Sequence, residues 1–456
     1  MELTANELAR ATGGRVDAGP GTARASSYTI DTRTLEPGGC FVALVAERDG
    51  HDFLPDAWAR GATVALVSRA VPPAPADRAV VRVDDGLEAL AALGRDARAR
   101  LHASVVAVTG SAGKTATKDL TAAALRSRRV HASPASFNNE AGVPLTLLGA
   151  PPDTDVVIVE MGARFQGNIA ALTDIARPDL GIVTHVGLAH AGHLGGPEGV
   201  AEVKGELIAS LPATGVAILN ADCPFAATLA GRGPARVRYV GMAADADVRV
   251  RDVTLDEQLR PRFRVETPWG ETTVALQLRG EHQAMNAAMA LTAAAELGVE
   301  LSTVATGLAA AQPAALRMQV ECTAAGVLLI NDAYNSSPTS AAAALRALGR
   351  ASVPGRRVAV LGEMLELGDY GPDAHAALGD LAGQVGVDVL VAVGAGAFPA
   401  ADAARAAGIT GVESADPDAA RVYVTTEVRR GDAVLVKASR AVGLEGVAAA
   451  LTEASP

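Results

Sequence analysis

Short apolar runs rich in β-branched residues recur along the chain: VVAVTG (105–110), VVIVE (156–160), LGIVTHV (180–186) and GVAIL (215–219). Helical patterns separate them. Runs this short, apolar on both faces, predict parallel strands buried in an α/β sheet. Farther on the period changes. Phe263, Val265 and Thr267 alternate with polar residues, Pro268-Trp269-Gly270 can turn the chain, and Val274, Leu276 and Leu278 alternate again. That predicts an antiparallel hairpin, a side sheet of the same block. An alanine-rich helix is expected from Gln283 to Leu297.

Two blocks flank this one. Before it, CFVAL (40–44) and TVALV (63–67) predict a small α/β unit, with VPPAPA (71–76) as a loop. After it, RVAVLG (357–362), DVLVAVG (388–394) and AVLVKAS (433–439) alternate with alanine-rich helices, which predicts a second, Rossmann-like doubly wound sheet. The fold class is therefore α/β with three domains, at 1–102, 103–313 and 314–456. A chain of 456 residues suits that number.

One helix carries a polar residue where the pattern asks for an apolar one. Over 198–211, Val200, Val203, Leu207, Ile208 and Leu211 share a face, and Lys204 sits among them. A lysine there must snorkel to water, find a partner, or lose its charge. Snorkelling is the ordinary outcome. Composition sharpens the question, because only four of the 40 basic residues are lysine: Lys114, Lys118, Lys204 and Lys437. A lysine kept in an arginine-rich chain suggests a need for a compact ammonium, or for an amine able to release its proton. Chance survival is the plainer alternative for any single one.

The net charge is −11 and the basic residues are scattered, which argues against a nucleic-acid partner. Three distant cysteines suggest neither a disulfide framework nor a zinc site. MELTANELAR does not read as a signal peptide, and no run is long and apolar enough for a membrane span. A cytoplasmic monomer is expected.

The clearest chemistry lies where the strand at 105–108 ends. Gly110, Ser111, Ala112, Gly113, Lys114 and Thr115 lead straight into a helix. Glycines let successive backbone N–H groups face an anion, and the helix start adds partial positive charge. Lys114 would hold the β- and γ-phosphates of ATP and the Thr115 hydroxyl would bind Mg²⁺. The loop has two residues between its glycines where the general pattern has four. Such a loop alone would serve a kinase, a switch, a motor or a ligase. Glu160 ends a central strand beside it, where a carboxylate could hold Mg²⁺. It would otherwise be an ordinary strand-end glutamate. His185, His190 and His193 crowd the segment after the next strand, either as solvated loop residues or as part of the site.

With these residues in place, the whole chain resembles the Mur ligase family. The motifs come in family order: TGSAGKTATK (109–118), SFNNEAGVP (136–144), VEMGAR (159–164), AHAGHLGGPEGVAEVKGE (189–206), LRGEHQAMNAA (278–288), NDAYNSSP (331–338), VLGEMLELG (360–368) and VLVKASR (434–440). The resemblance implies an ATP-dependent amide ligase of peptidoglycan synthesis. It implies that Lys204 is carboxylated by CO₂ and binds one Mg²⁺ with His190, while Thr115 and Glu160 bind a second. It implies nucleotide contacts from His282, Asn286, Arg317, Asp332, Tyr334 and Asn335. Substrate contacts are implied for Asp31, Thr32, Arg33, Asn138, Asn139, His375, Ser439 and Arg440. Asp31, Thr32 and Arg33 lie in IDTRTLEPGGCFVAL (30–44), which is similar to a uridine-diphosphate-binding segment. His375 is the one candidate for a general base.

DAYNSSP and LGEMLELG are most similar to the member that joins D-alanyl-D-alanine to UDP-N-acetylmuramoyl-tripeptide, although Asn331 and Ser336 depart from its pattern. Another muramyl ligase or a folylpolyglutamate-type ligase is the near alternative. A nucleotide switch or binding module is the alternative of a different class, and it leaves Glu160, His190 and Lys204 without a purpose.

Overall fold

The computed structural model describes residues 1–453. Its centre is a nine-stranded sheet. From one edge the order is Gly270–Ala275, Pro261–Thr267, Val248–Leu255, Arg236–Gly241, Val216–Asn220, Leu180–Val183, Ser104–Thr109, Val156–Glu160 and Val130–Ala132. The last six pairings are parallel, and the hairpin adds two antiparallel ones at the far edge. The expected side sheet is thus hydrogen-bonded onto the parallel sheet and extends it. The central strand shows why its run is apolar throughout. Val105 and Ala107 enter one buried cluster, while Val106 and Val108 enter the cluster on the other face. The strand expected over 180–186 stops at Val183, because Thr184 to His190 turn away to line a cleft.

The N-terminal unit holds a five-stranded sheet between Arg15 and Arg82. It does not stand apart. One of its two buried clusters is continuous with that of the middle domain, from Leu3 to Ala235, while the other, around Phe41 and Leu54, is its own. The Met1 ammonium also donates to Leu148 O, 2.9 Å away. The C-terminal sheet has six strands, parallel except for its first pair, and has separate clusters on its two faces. The first two units thus share a core, and the third packs mainly around its own. Among the described residues no helix is long and apolar enough to cross a membrane.

Candidate active site

The phosphate loop leaves the strand end at Thr109. Gly110 has φ +144°, and a Cβ there would lie 1.9 Å from Thr184 Oγ1. Gly113 has φ +80°, and a Cβ there would meet Asn286 Oδ1 at 2.7 Å. A side chain at either position would strain the turn and push the neighbouring side chain aside. The helix Lys114–Ala124 then starts with no side-chain cap, so its first N–H groups face open space. Ser111 is pinned from behind, its N–H donating to His185 O and its hydroxyl to Gly187 O. Lys114 Nζ donates to Gly110 O at 2.8 Å. Burial lowers the pKa of Lys114, and Glu160 pulls it back up.

Glu160 is 1% exposed. Oε1 accepts from Asn138 Nδ2 at 2.8 Å, while Oε2 is buried without a partner. A buried, unpaired carboxylate oxygen is costly unless a cation or a further donor completes it.

A cleft of about 900 Å³ lies between the middle and C-terminal domains. Ser111 to Thr115, Asn138, Asn139, Glu160, His190, His282 and Asn286 line it from the middle domain. Arg317, Asp332, Tyr334, Asn335, Ser439 and Arg440 line it from the other side. Arg317 stacks over the Tyr334 ring, 4.0 Å from its centroid, and the Tyr334 hydroxyl donates to Ser136 Oγ at 2.9 Å. Asp332 accepts from Met318 N and from Lys437 Nζ.

Lys204 is 1% exposed in the helix Pro197–Ser210, and its ammonium makes no hydrogen bond or ion pair among the described residues. Burial, reinforced by the Lys114 charge, lowers its pKa to about 7. His190 feels the charges of both lysines, although burial is the main cause of its lowered pKa. No group of three or more His, Cys, Asp or Glu side chains gathers as a metal site among the described residues.

Several expected site residues fall elsewhere. Asp31, Thr32 and Arg33 form a capped turn in the N-terminal unit, with Arg33 bonded back to Asp31. His375 lies outside the cleft lining. Its Nε2 accepts from Met364 N and its Nδ1 meets Gly371 O, so both nitrogens serve the backbone and neither is free to take a proton. Three residues escaped the sequence reading as site members: Ser136, Glu366 and Lys437. Lysine scarcity pointed at Lys437; Ser136 and Glu366 lie inside the runs SFNNEAGVP and VLGEMLELG, but no signal within those runs singled either out.

His282 offers a pH test. Burial lowers its pKa from 6.5 to about 4, and its Nδ1 has no partner. Between those values the unfolded chain binds a proton that the folded ring refuses. Stability is then full above pH 6.5 and falls as pH drops toward 4, by at most about 3 kcal/mol because one side of the ring faces the cleft. His282→Asn should flatten the melting temperature across that window. An unchanged slope would contradict the buried neutral ring.

Residues 108–294 match the Mur ligase middle domain, and residues 316–440 match the Mur ligase glutamate ligase domain. A UDP-N-acetylmuramoyl-tripeptide–D-alanyl-D-alanine ligase of Mycobacterium tuberculosis is 41% identical, across 99% of this chain and 98% of that protein. The fold is similar to MurF from Acinetobacter baumannii, with a TM-score of 0.88 at 31% identity over 100% of this chain and 99% of that one. It is also similar to MurF from Thermotoga maritima in complex with ADP, with a TM-score of 0.79 at 29% identity over 94% and 97% of the two chains. Phosphate loop, orphaned carboxylate, buried lysine and relatives matched along nearly the full length agree: the chain belongs to the Mur ligase family.

Proposed function

We propose that this ligase joins D-alanyl-D-alanine to UDP-N-acetylmuramoyl-tripeptide and converts ATP to ADP and phosphate. The observation that carries the reading is the 41% identity, over 99% of the chain, with a relative named for that reaction. The γ-phosphoryl group passes from ATP to the terminal carboxylate of the tripeptide, giving an acyl phosphate and ADP. The dipeptide amine, as the free base, attacks the activated carbonyl. Phosphate then leaves and an amide remains. Lys114 and the loop N–H groups hold the transferring group, where charge develops.

The donor set suits Mg²⁺. The free oxygen of Glu160 and the Thr115 hydroxyl would hold one ion. His190 and a carboxylated Lys204 would hold the other. When bound, the metal neutralises phosphate charge. Arg317, Asp332, Tyr334, Asn335, His282 and Asn286 would hold the nucleotide. The segment around Asp31 to Arg33 would hold the uridine moiety. Residues 1–102, 103–313 and 314–456 would then serve uridine nucleotide, ATP and dipeptide in turn. Three free cysteines suit a reducing compartment, and the reading places the enzyme in the cytoplasm as a monomer.

The test is phosphate release with a panel of UDP-muramoyl peptides and amine acceptors. Release that depends on D-alanyl-D-alanine is expected, and release indifferent to it would defeat the assignment.

A further inference from the structure

His190 and Glu366 sit on different domains, and both hold left-handed backbone, with φ 64° each. A residue with a Cβ adopts that region at a cost, so the surroundings must impose it. Here the segments that carry them meet. Gly192 N donates to Glu366 O at 3.1 Å. A Cβ on Gly192 would lie 2.6 Å from Gly368 N, so the two backbones touch as only glycines allow. Across this contact the Glu366 carboxylate meets His190 Nδ1. Its other oxygen lies 3.5 Å from Nε of the exposed Arg164.

A carboxylate only accepts, so the ring proton belongs on Nδ1 and Nε2 keeps its lone pair. That is the tautomer a histidine ligand needs, and hydrogen-bonded partners of metal-binding histidines commonly set it. The partner here arrives with the third domain. Among the described residues His190 Nδ1 has no hydrogen-bond partner from the middle domain.

We propose that Glu366 is a positioning residue carried by the third domain: it fixes the tautomer and orientation of His190, so the metal site is complete only in the closed molecule. The inference rests on the reading of His190 as a ligand.

The test uses the full-length protein stripped of metal with EDTA and ¹⁵N-labelled in its imidazoles, with His190→Gln to assign the signal. Wild type should show His190 protonated on Nδ1. Glu366→Gln, whose amide oxygen still accepts, should keep that state. Glu366→Ala should move at least half the population to the Nε2-protonated form. In steady-state assays Glu366→Ala should raise the Mg²⁺ concentration for half-maximal rate about tenfold or more, and Glu366→Gln should restore most of it. Wild-type His190 protonated on Nε2, or a tautomer unchanged in Glu366→Ala, overturns the proposal. A tautomer that follows Glu366 without any change in Mg²⁺ dependence supports the positioning role and counts against His190 as a ligand. The imidazole readout involves neither substrate, so it is separate from which acid and amine the enzyme joins.

Discussion

Lys114→Ala is expected to lower kcat for ADP formation by about 10³-fold, a barrier increase of about 4 kcal/mol, with a much smaller change in KM for ATP. The loop N–H groups and the helix start still bind the phosphates in the variant, so ground-state affinity survives. What is lost is a compact positive charge at the group whose charge redistributes during transfer. Its position is fixed by the Gly110 carbonyl, 2.8 Å from Nζ, and its charge is balanced by Glu160. Arginine cannot restore it. A planar guanidinium is longer, and the loop that would have to admit it is closed against Thr184, whose hydroxyl donates to Ala112 O at 2.5 Å. Lys114→Arg should therefore stay within about tenfold of the alanine variant. Single-turnover ADP formation decides the matter. A loss below tenfold in Lys114→Ala would put the γ-phosphate elsewhere.

The parts of this site that were legible in the sequence are the local ones. A strand that ends in glycine and becomes a helix is written in consecutive residues, and the loop at 110–115 stands where its pattern puts it. The lysine on an apolar stripe was legible because helical periodicity is also local, and Lys204 is buried in the helix that the pattern predicted. Lysine scarcity carried more than it promised. Lys118, Lys204 and Lys437 are each at most 2% exposed, so three of the four survivors are buried lysines. Two of them have plain structural partners. Lys118 donates to Ser133 O and Ala135 O, and Lys437 to Asp332 and Asn335 O.

The contacts that escaped join residues far apart in the chain. Ser136 meets Tyr334 across 198 positions, and His190 meets Glu366 across 176. No periodicity reports such a pairing, because it depends on how two domains are seated. His375 shows the converse. Its place after a motif made it a candidate base, yet its nitrogens complete the backbone around Met364 and Gly371. One residue can look alike in both roles until its partners are known.

Lys204→Ala should be as damaging as Lys114→Ala, about 10³-fold in kcat, and it should be recoverable by chemistry that no structural lysine would answer to. Lys204 is 1% exposed, its unmodified ammonium has no hydrogen-bonding partner among the described residues, and it is repelled by Lys114. Its pKa falls from 10.5 to about 7, so folding favours the neutral amine. The linkage has a definite sign. Between pH 10.5 and 7 the unfolded chain binds a proton that the folded one does not, so the unmodified protein loses stability as pH falls through that window. In the proposed carboxylation CO₂ would react with the neutral amine, form an N–C bond and release a proton, which would leave a carboxylate in place of a charge that Lys114 repels. Binding to the folded state alone stabilises it. Bicarbonate at pH 8 should therefore raise the melting temperature of the wild type and leave Lys204→Ala unmoved. In the alanine variant the vacated space should admit formate or acetate, and activity should return with their concentration. Lys204→Met fills that space with an apolar chain. It should be at least as stable as the unmodified wild type, inactive, and indifferent to added acid. Activity retained in Lys204→Met would reduce Lys204 to a core residue. The site would then lose its second metal, and the reason for keeping a lysine on that stripe would be gone.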